Sequence, residues 1–287
     1  MLAVWAVFLP AQTSPKIDTL VTDEGATNML LNIKIPSGEM YLTSSGICGK
    51  SLSKLASNSD DAEHKYDHNV EMNGTVSRFI NVEYPKNKAA INSNSTATLR
   101  LANPVTENFR SEYKQDPSLD TELKLDLGSG GAWLDLSAMS VKKVQINSAF
   151  SDVVLSYNRP NFVRMDEMDI HVARAKIVLK NLEQARAKKV HIRNEMGETK
   201  IIIGDKGRPG SKIHVKSGVG DCMIVIDKDQ PTKIVLSGGM FSKIEVDDSF
   251  KEHGEGTYVN AAYHYNPAKC TTVFCEVDLG NISLMAK

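Results

Sequence analysis

The sequence predicts an all-β protein: a single-domain, right-handed β-solenoid of stacked rungs about 20–24 residues long. Three observations carry the prediction. A short apolar-small-apolar phrase recurs at a near-constant interval through the second half of the chain. Glycine, serine, asparagine and aspartate are abundant while long helical patterns are scarce. Finally, 41% of the 287 residues are hydrophobic but only 6% are aromatic, so the core must be aliphatic.

From the N-terminus, Leu2 to Ala11 (LAVWAVFLPA) forms an apolar run of ten residues that ends in Pro10 and a small residue. It is too short to span a bilayer, which takes about 20 helical residues. The run therefore reads as the remnant of a signal peptide over residues 1–13, although no Lys or Arg precedes it. The other reading is a buried N-terminal strand. Residues 15–120 form a less regular β portion. Within it, Met29 to Leu42 suggests a strand, a Pro-Ser-Gly-Glu turn and a second strand, forming the first rung or its cap. Ser51 to His68 is polar and suggests a surface loop, whereas Thr75 to Tyr84 and Thr96 to Leu101 suggest strands.

The repeats occupy residues 121–287. Val144 to Leu155 (VQINSAFSDVVL) serves as the template. Leu125 to Leu136, Met168 to Leu179, Val190 to Ile201 and Ile213 to Ile224 fit it without gaps, and successive starts lie 19, 24, 22 and 23 residues apart. Ile234 to Val246 follows after 21 residues with a one-residue slip, and the shorter Val277 to Leu284 closes the chain. In each copy apolar and polar residues alternate, the period of two that half-buries a strand. Small corners such as Ser129-Gly130-Gly131 and Ser217-Gly218 let successive backbones stack closely. Turn signals at 158–161 and 206–210 separate the copies. An insertion at residues 250–270, dense in Tyr258, Tyr263 and Tyr265, projects as a hairpin or, better, caps the open end.

Leu123 to Leu136, Val141 to Leu155 and Ile213 to Asp221 (IHVKSGVGD) resemble the bacterial toast-rack family, which occurs in and beside cell-wall-active antibiotic response proteins and is related to adhesin repeats. The resemblance lies in residues 119–226, and Val277 to Leu284 suits the family's final rung. It implies an extracytoplasmic solenoid in envelope-stress or surface-contact settings, with no catalytic residues to carry over.

Charge is balanced, 34 basic residues against 35 acidic, so no basic field is present to recruit nucleic acid. His191 and His214 fall at the same outward position of neighbouring copies, with Asp169 one rung earlier and Asp126 further back. These are weak metal candidates, because a flat ladder supplies half of the converging ligands zinc requires. His64 and His68 lie in the polar 51–68 segment, where no apolar stripe would hold a chelating helix. Asp126, Asp152, Asp169, Asp221, Glu245 and Asp278 are scattered over exteriors and corners, and Asp152 and Asp221 are equivalent but three rungs apart. No phosphate-binding loop or nucleophile elbow occurs. Of Cys48, Cys222, Cys270 and Cys275, the pair Cys222 and Cys275 reads as small core residues.

The expectation is an exported, extracytoplasmic, non-enzymatic interaction protein with no cofactor, no transmembrane segment and no nucleic-acid partner. Its partner is a protein or glycan of the cell envelope, Tyr258, Tyr263 and Tyr265 are candidate contact residues, and strand edges leave self-association open. The alternative is a glycan-binding or polysaccharide-acting β-helix protein.

Overall fold

A computed structural model describes residues 120–204 and 210–287, together with the backbone of six earlier strands. Those strands are β1 (Ile17–Thr22), β2 (Asn28–Ser45), β3 (Ser51–Ser57), β4 (Lys65–Met72), β5 (Val76–Glu83) and β6 (Thr96–Ala102). The 1–13 leader, Cys48, His64 and most of the 206–210 turn lie outside the described residues. The protein is all-β: the described residues form strands joined into one hydrogen-bonded sheet, with α1 (Ala261–Tyr265) as the one short α-helix among them. No helix among the described residues is long and apolar enough to cross a membrane.

Two long strands, β7 (Asp120–Asp135) and β8 (Val141–Ser156), run side by side in parallel, and β2 pairs along the other side of β7. Beyond β8 each level of the chain divides at a corner into two strands. These are β9 (Glu167–Arg174) with β10 (Ile177–Lys180), β11 (Lys189–Met196) with β12 (Thr199–Ile203), and β13 (Lys212–Val219) with β14 (Cys222–Ile226). All pair in parallel with their counterparts in the next level. The core is the inward half of the alternation. Leu123, Val144, Met168, Val190 and Ile213 align across one ladder, and Leu134, Leu155, Leu179, Ile201 and Ile224 across the other, all at most 2% exposed. Each such side chain contributes roughly 1.5–3 kcal/mol by leaving water. Buried Asn161 ties the levels together: its side chain bonds the N–H and C=O of Val141 and the C=O of Ala185.

The stack does not follow chain order at its far end. After β14 the chain forms β15 (Thr232–Gly238) and β16 (Lys243–Val246), then the hairpin β17 (Phe250–Glu252) and β18 (Thr257–Asn260), then α1. The last strands, β19 (Thr271–Leu279) and β20 (Asn281–Ala286), return between levels already laid down. β19 pairs β13 on one side and β15 on the other, and β20 lies likewise between β14 and β16. The expected order, in which Ile234 to Val246 stacks directly on Ile213 to Ile224, is therefore corrected. The closing copy is also full length, beginning at Thr271, because Val273 and not Val277 faces Ile213. Three matches hold it there: Lys216 to Glu276 at 3.1 Å, the Asn281 N–H to the Asp221 carboxylate at 2.9 Å, and Gly280 stacked on Gly220.

Other expectations are corrected as well. Leu125 does not align with Val144; Leu123 does, a slip of two that leaves the inward and outward faces unchanged. Met29 to Leu42 is not two strands about a turn. It lies in the single strand β2, whose pairing with β7 resumes at Ser37 and Gly38 past Pro36, which has no N–H to donate. Nor is Ser51 to His68 simply a loop, since β3 pairs with β1 and β6, and β4 with β5, all antiparallel. Backbone pairing there needs no apolar alternation, which is why composition misled. The strands expected at Thr75 to Tyr84 and Thr96 to Leu101 are found as β5 and β6.

Candidate interaction surface

The outward positions of β9, β11, β13 and β19 build the most distinctive surface among the described residues. Val190 and Ile192 point into the core, so His191 between them points out, and the same alternation exposes His214 and Phe274. Register makes these three direct neighbours: His191 faces His214, and His214 faces Phe274. Their rings stack face to face, 5.2 Å and 16° apart for the histidines and 4.7 Å and 13° for His214 on Phe274. Asp169 extends the ladder on one side and Val235 on the other.

Two residues along each strand runs a second ladder: Asp126, Asn147, His171, Arg193, Lys216, Glu276 and Ser237. Asp126 belongs here, beside Asn147 at 2.8 Å, and not in line with His191 as expected. The slip of two in the first copy accounts for the misplacement. Charges on this ladder are paired, Lys216 with Glu276 within it at 3.1 Å and Arg193 with Glu195, two residues further along its own strand, at 2.6 Å. Together the two ladders floor an open depression of about 570 Å³. Enclosure between the neighbouring rings pushes the His214 imidazole below its ordinary pKa, and the charges of His191 and Lys212 push it further the same way.

The geometry limits the available chemistry. His214 has a ring against both faces and His191 and Phe274 against one each, with Asp169 and Val235 next in register. The ladder thus presents mainly imidazole edges, which donate and accept hydrogen bonds, and few free ring faces for a sugar to stack on. Asp169, His191 and His214 lie in a line, one per level, and among the described residues no three His, Cys, Asp or Glu gather to hold a metal ion. Three more of the scattered carboxylates have structural partners. Asp152 accepts the Lys176 N–H at 2.8 Å, Asp221 accepts from Asn281, and Glu245 pairs with Lys243 at 2.5 Å. Asp152 and Asp221 do occupy equivalent corners three levels apart.

The three tyrosines do not share one surface. Tyr258, on β18 opposite Ile234, packs against the core; Tyr263 lies in a cluster with His253 and His264, at 6.1 and 5.7 Å; Tyr265 is 89% exposed. The insertion is both hairpin and cap: β18 pairs with β15, and Phe250 and Val259 are buried. Cys222 and Cys275 are free, buried core residues with sulfurs 3.5 Å apart. Phe274 was missed by the sequence reading. Its only sequence signal was its place in the Thr-Val-Phe-Cys-Glu-Val alternation, three residues before the start taken for the last copy.

No protein-family model matches the chain, and no curated protein matches it. Among solved structures, it is similar to a protein of Clostridium sporogenes provisionally described as a cell adhesion protein. That likeness has 14% identity and a TM-score of 0.46, covering 95% of this chain and all of the other. It is also similar to a provisionally described adhesin of Bacteroides fragilis, with 11% identity and a TM-score of 0.34, covering 93% of this chain and 96% of the other.

Proposed function

We propose that the protein is an extracytoplasmic, non-enzymatic, right-handed β-solenoid of the toast-rack kind that works as an adhesin-like contact surface at the cell envelope. The observation that carries the reading is the stacked ladder of His191, His214 and Phe274 beside the paired charges of Arg193, Lys216 and Glu276. Reactive groups strung along a line, one per level, suit recognition by many weak contacts better than chemistry on one bond, which needs groups converging within hydrogen-bond reach of a reacting atom. Export is supported by the apolar run at residues 2–11, and the toast-rack likeness by the phrases at 123–136, 141–155 and 213–221. The partner in this reading is an envelope protein or glycan bound by its polar edges. Stacked ring faces give no support to the alternative of a polysaccharide-acting enzyme.

Binding of the purified protein to isolated bacterial cell envelopes tests this. The variant His191→Ser/His214→Ser/Phe274→Ser, with its thermal melt retained, is expected to lose at least about tenfold in binding, or about 1.4 kcal/mol. Binding unchanged in that variant, or shortening of polysaccharide chains by the wild type, overturns the reading.

A further inference from the structure

The terminal level is only half covered. The β17–β18 hairpin seals β15: β18 pairs with Lys233 to Val235, and the Leu236 N–H reaches the Gly256 C=O at 2.8 Å. Nothing comparable reaches β16, which among the described residues pairs with β20 alone. Ile244 lies in the ladder of Ile282 and Cys222, both at most 1% exposed, yet is itself 38% exposed. Beside it Met240 and Phe241 are 91% and 78% exposed. The core thus opens to solvent beside an unpaired strand edge, an arrangement that recruits another strand.

The register of such a strand can be worked out. The Asp247 N–H bonds the Leu284 C=O at 2.9 Å, so 243, 245 and 247 address β20 while Ile244 and Val246 turn their N–H and C=O to the free edge. In an antiparallel pair, residues whose backbone groups face the partner form the doubly hydrogen-bonded positions. A two-fold axis through Ile244 therefore joins Ile244 to its own mate. It also sets Lys243 opposite Glu245 of the other copy, and Glu245 opposite Lys243, so the strand is complementary in charge to itself. We infer that the occupant of this edge is a second copy of this chain, bound antiparallel through β16 with Ile244 on the two-fold axis. The contact is isologous and closes, leaving β16 no edge for a third copy. It does not depend on what the histidine ladder binds.

Sedimentation velocity on the full chain from about 1 to 200 µM tests the inference, because a strand this short supports a weak interface. The wild type is expected to shift from monomer to dimer across that range. Ile244→Lys, whose charges would meet on the axis, is expected to stay monomeric. Lys243→Glu places Glu opposite Glu twice and is expected to weaken the dimer at least tenfold, while Lys243→Glu/Glu245→Lys restores it. The swap also restores the Lys243–Glu245 pair within one copy, so the thermal melt of each variant is followed alongside, and a melt unchanged in Lys243→Glu assigns its lost dimer to the interface. A wild type monomeric throughout, or a dimer indifferent to Ile244→Lys, overturns the inference. A dimer unchanged in Lys243→Glu overturns the register.

Discussion

Replacing Gly220 with alanine tests the corner on which the levels turn. Gly220 has φ +136°, and a Cβ there would lie 2.2 Å from the carbonyl oxygen of Gly197 one level away. Neither atom can yield easily, since both belong to backbone held by hydrogen bonds: the Gly197 N–H to Val219 at 2.8 Å and the Gly220 N–H to Leu279 at 2.8 Å. The backbone conformation alone costs an L-residue about 1–3 kcal/mol. Forcing the levels apart adds about 1–3 kcal/mol more. Gly254 separates the two contributions, because it has nearly the same φ, +137°, but nothing within 4 Å of its would-be Cβ. Urea unfolding followed by circular dichroism should show Gly254→Ala losing about 1–3 kcal/mol and Gly220→Ala about 2–6 kcal/mol. Equal losses in the two variants would refute the argument that close stacking of levels, rather than local conformation, makes glycine necessary at that corner.

Three further outcomes follow from buried or enclosed polar groups. Tyr157 is fully buried, burial pushes its phenol well above the usual range, and its hydroxyl has no hydrogen-bond partner among the described residues. Tyr157→Phe should therefore leave the melt unchanged or raise stability by about 1 kcal/mol, and a clear loss would reveal a bond to that hydroxyl. Asn260 accepts the N–H groups of Thr232 and Tyr263 and donates to the carbonyls of Gln230 and Lys228. Asn260→Ala should cost about 2–4 kcal/mol and speed hydrogen exchange in 250–265 selectively, since it unfastens the cap from β15. Because the folded-state pKa of His214 lies below 6.5, the unfolded chain binds the proton more readily. Stability contributed by the neutral ring is thus present above pH 6.5 and lost as pH falls through the folded value, and unfolding from pH 7.5 to 5 should show a decline that His214→Gln reduces.

The local order of residues dictated the fold class, the strands of each level and the faces they bury. Val190-His191-Ile192 and Ile213-His214-Val215 can only alternate, and each needs neighbours above and below to cover its apolar side. That placed His191 beside His214 without any coordinates, and it marked Cys222 and Cys275 as core residues. Where alternation is silent, the reading failed. The polar strands β3 and β4 exist through backbone pairing, and a shift of two between Leu123 and Leu125 costs nothing in pattern. The order of levels was likewise beyond local reach, because every level carries the same phrase and any could follow any other. Long-range matches selected the order: Glu276 finds Lys216, Asn281 finds Asp221, and Gly280 alone fits over Gly220. Those contacts span 60 residues, insert β19 and β20 into the stack, and bring Phe274 onto the histidine ladder. Tertiary packing thus chose the neighbours, because periodicity specifies which face of a strand is buried and leaves open which strand comes next.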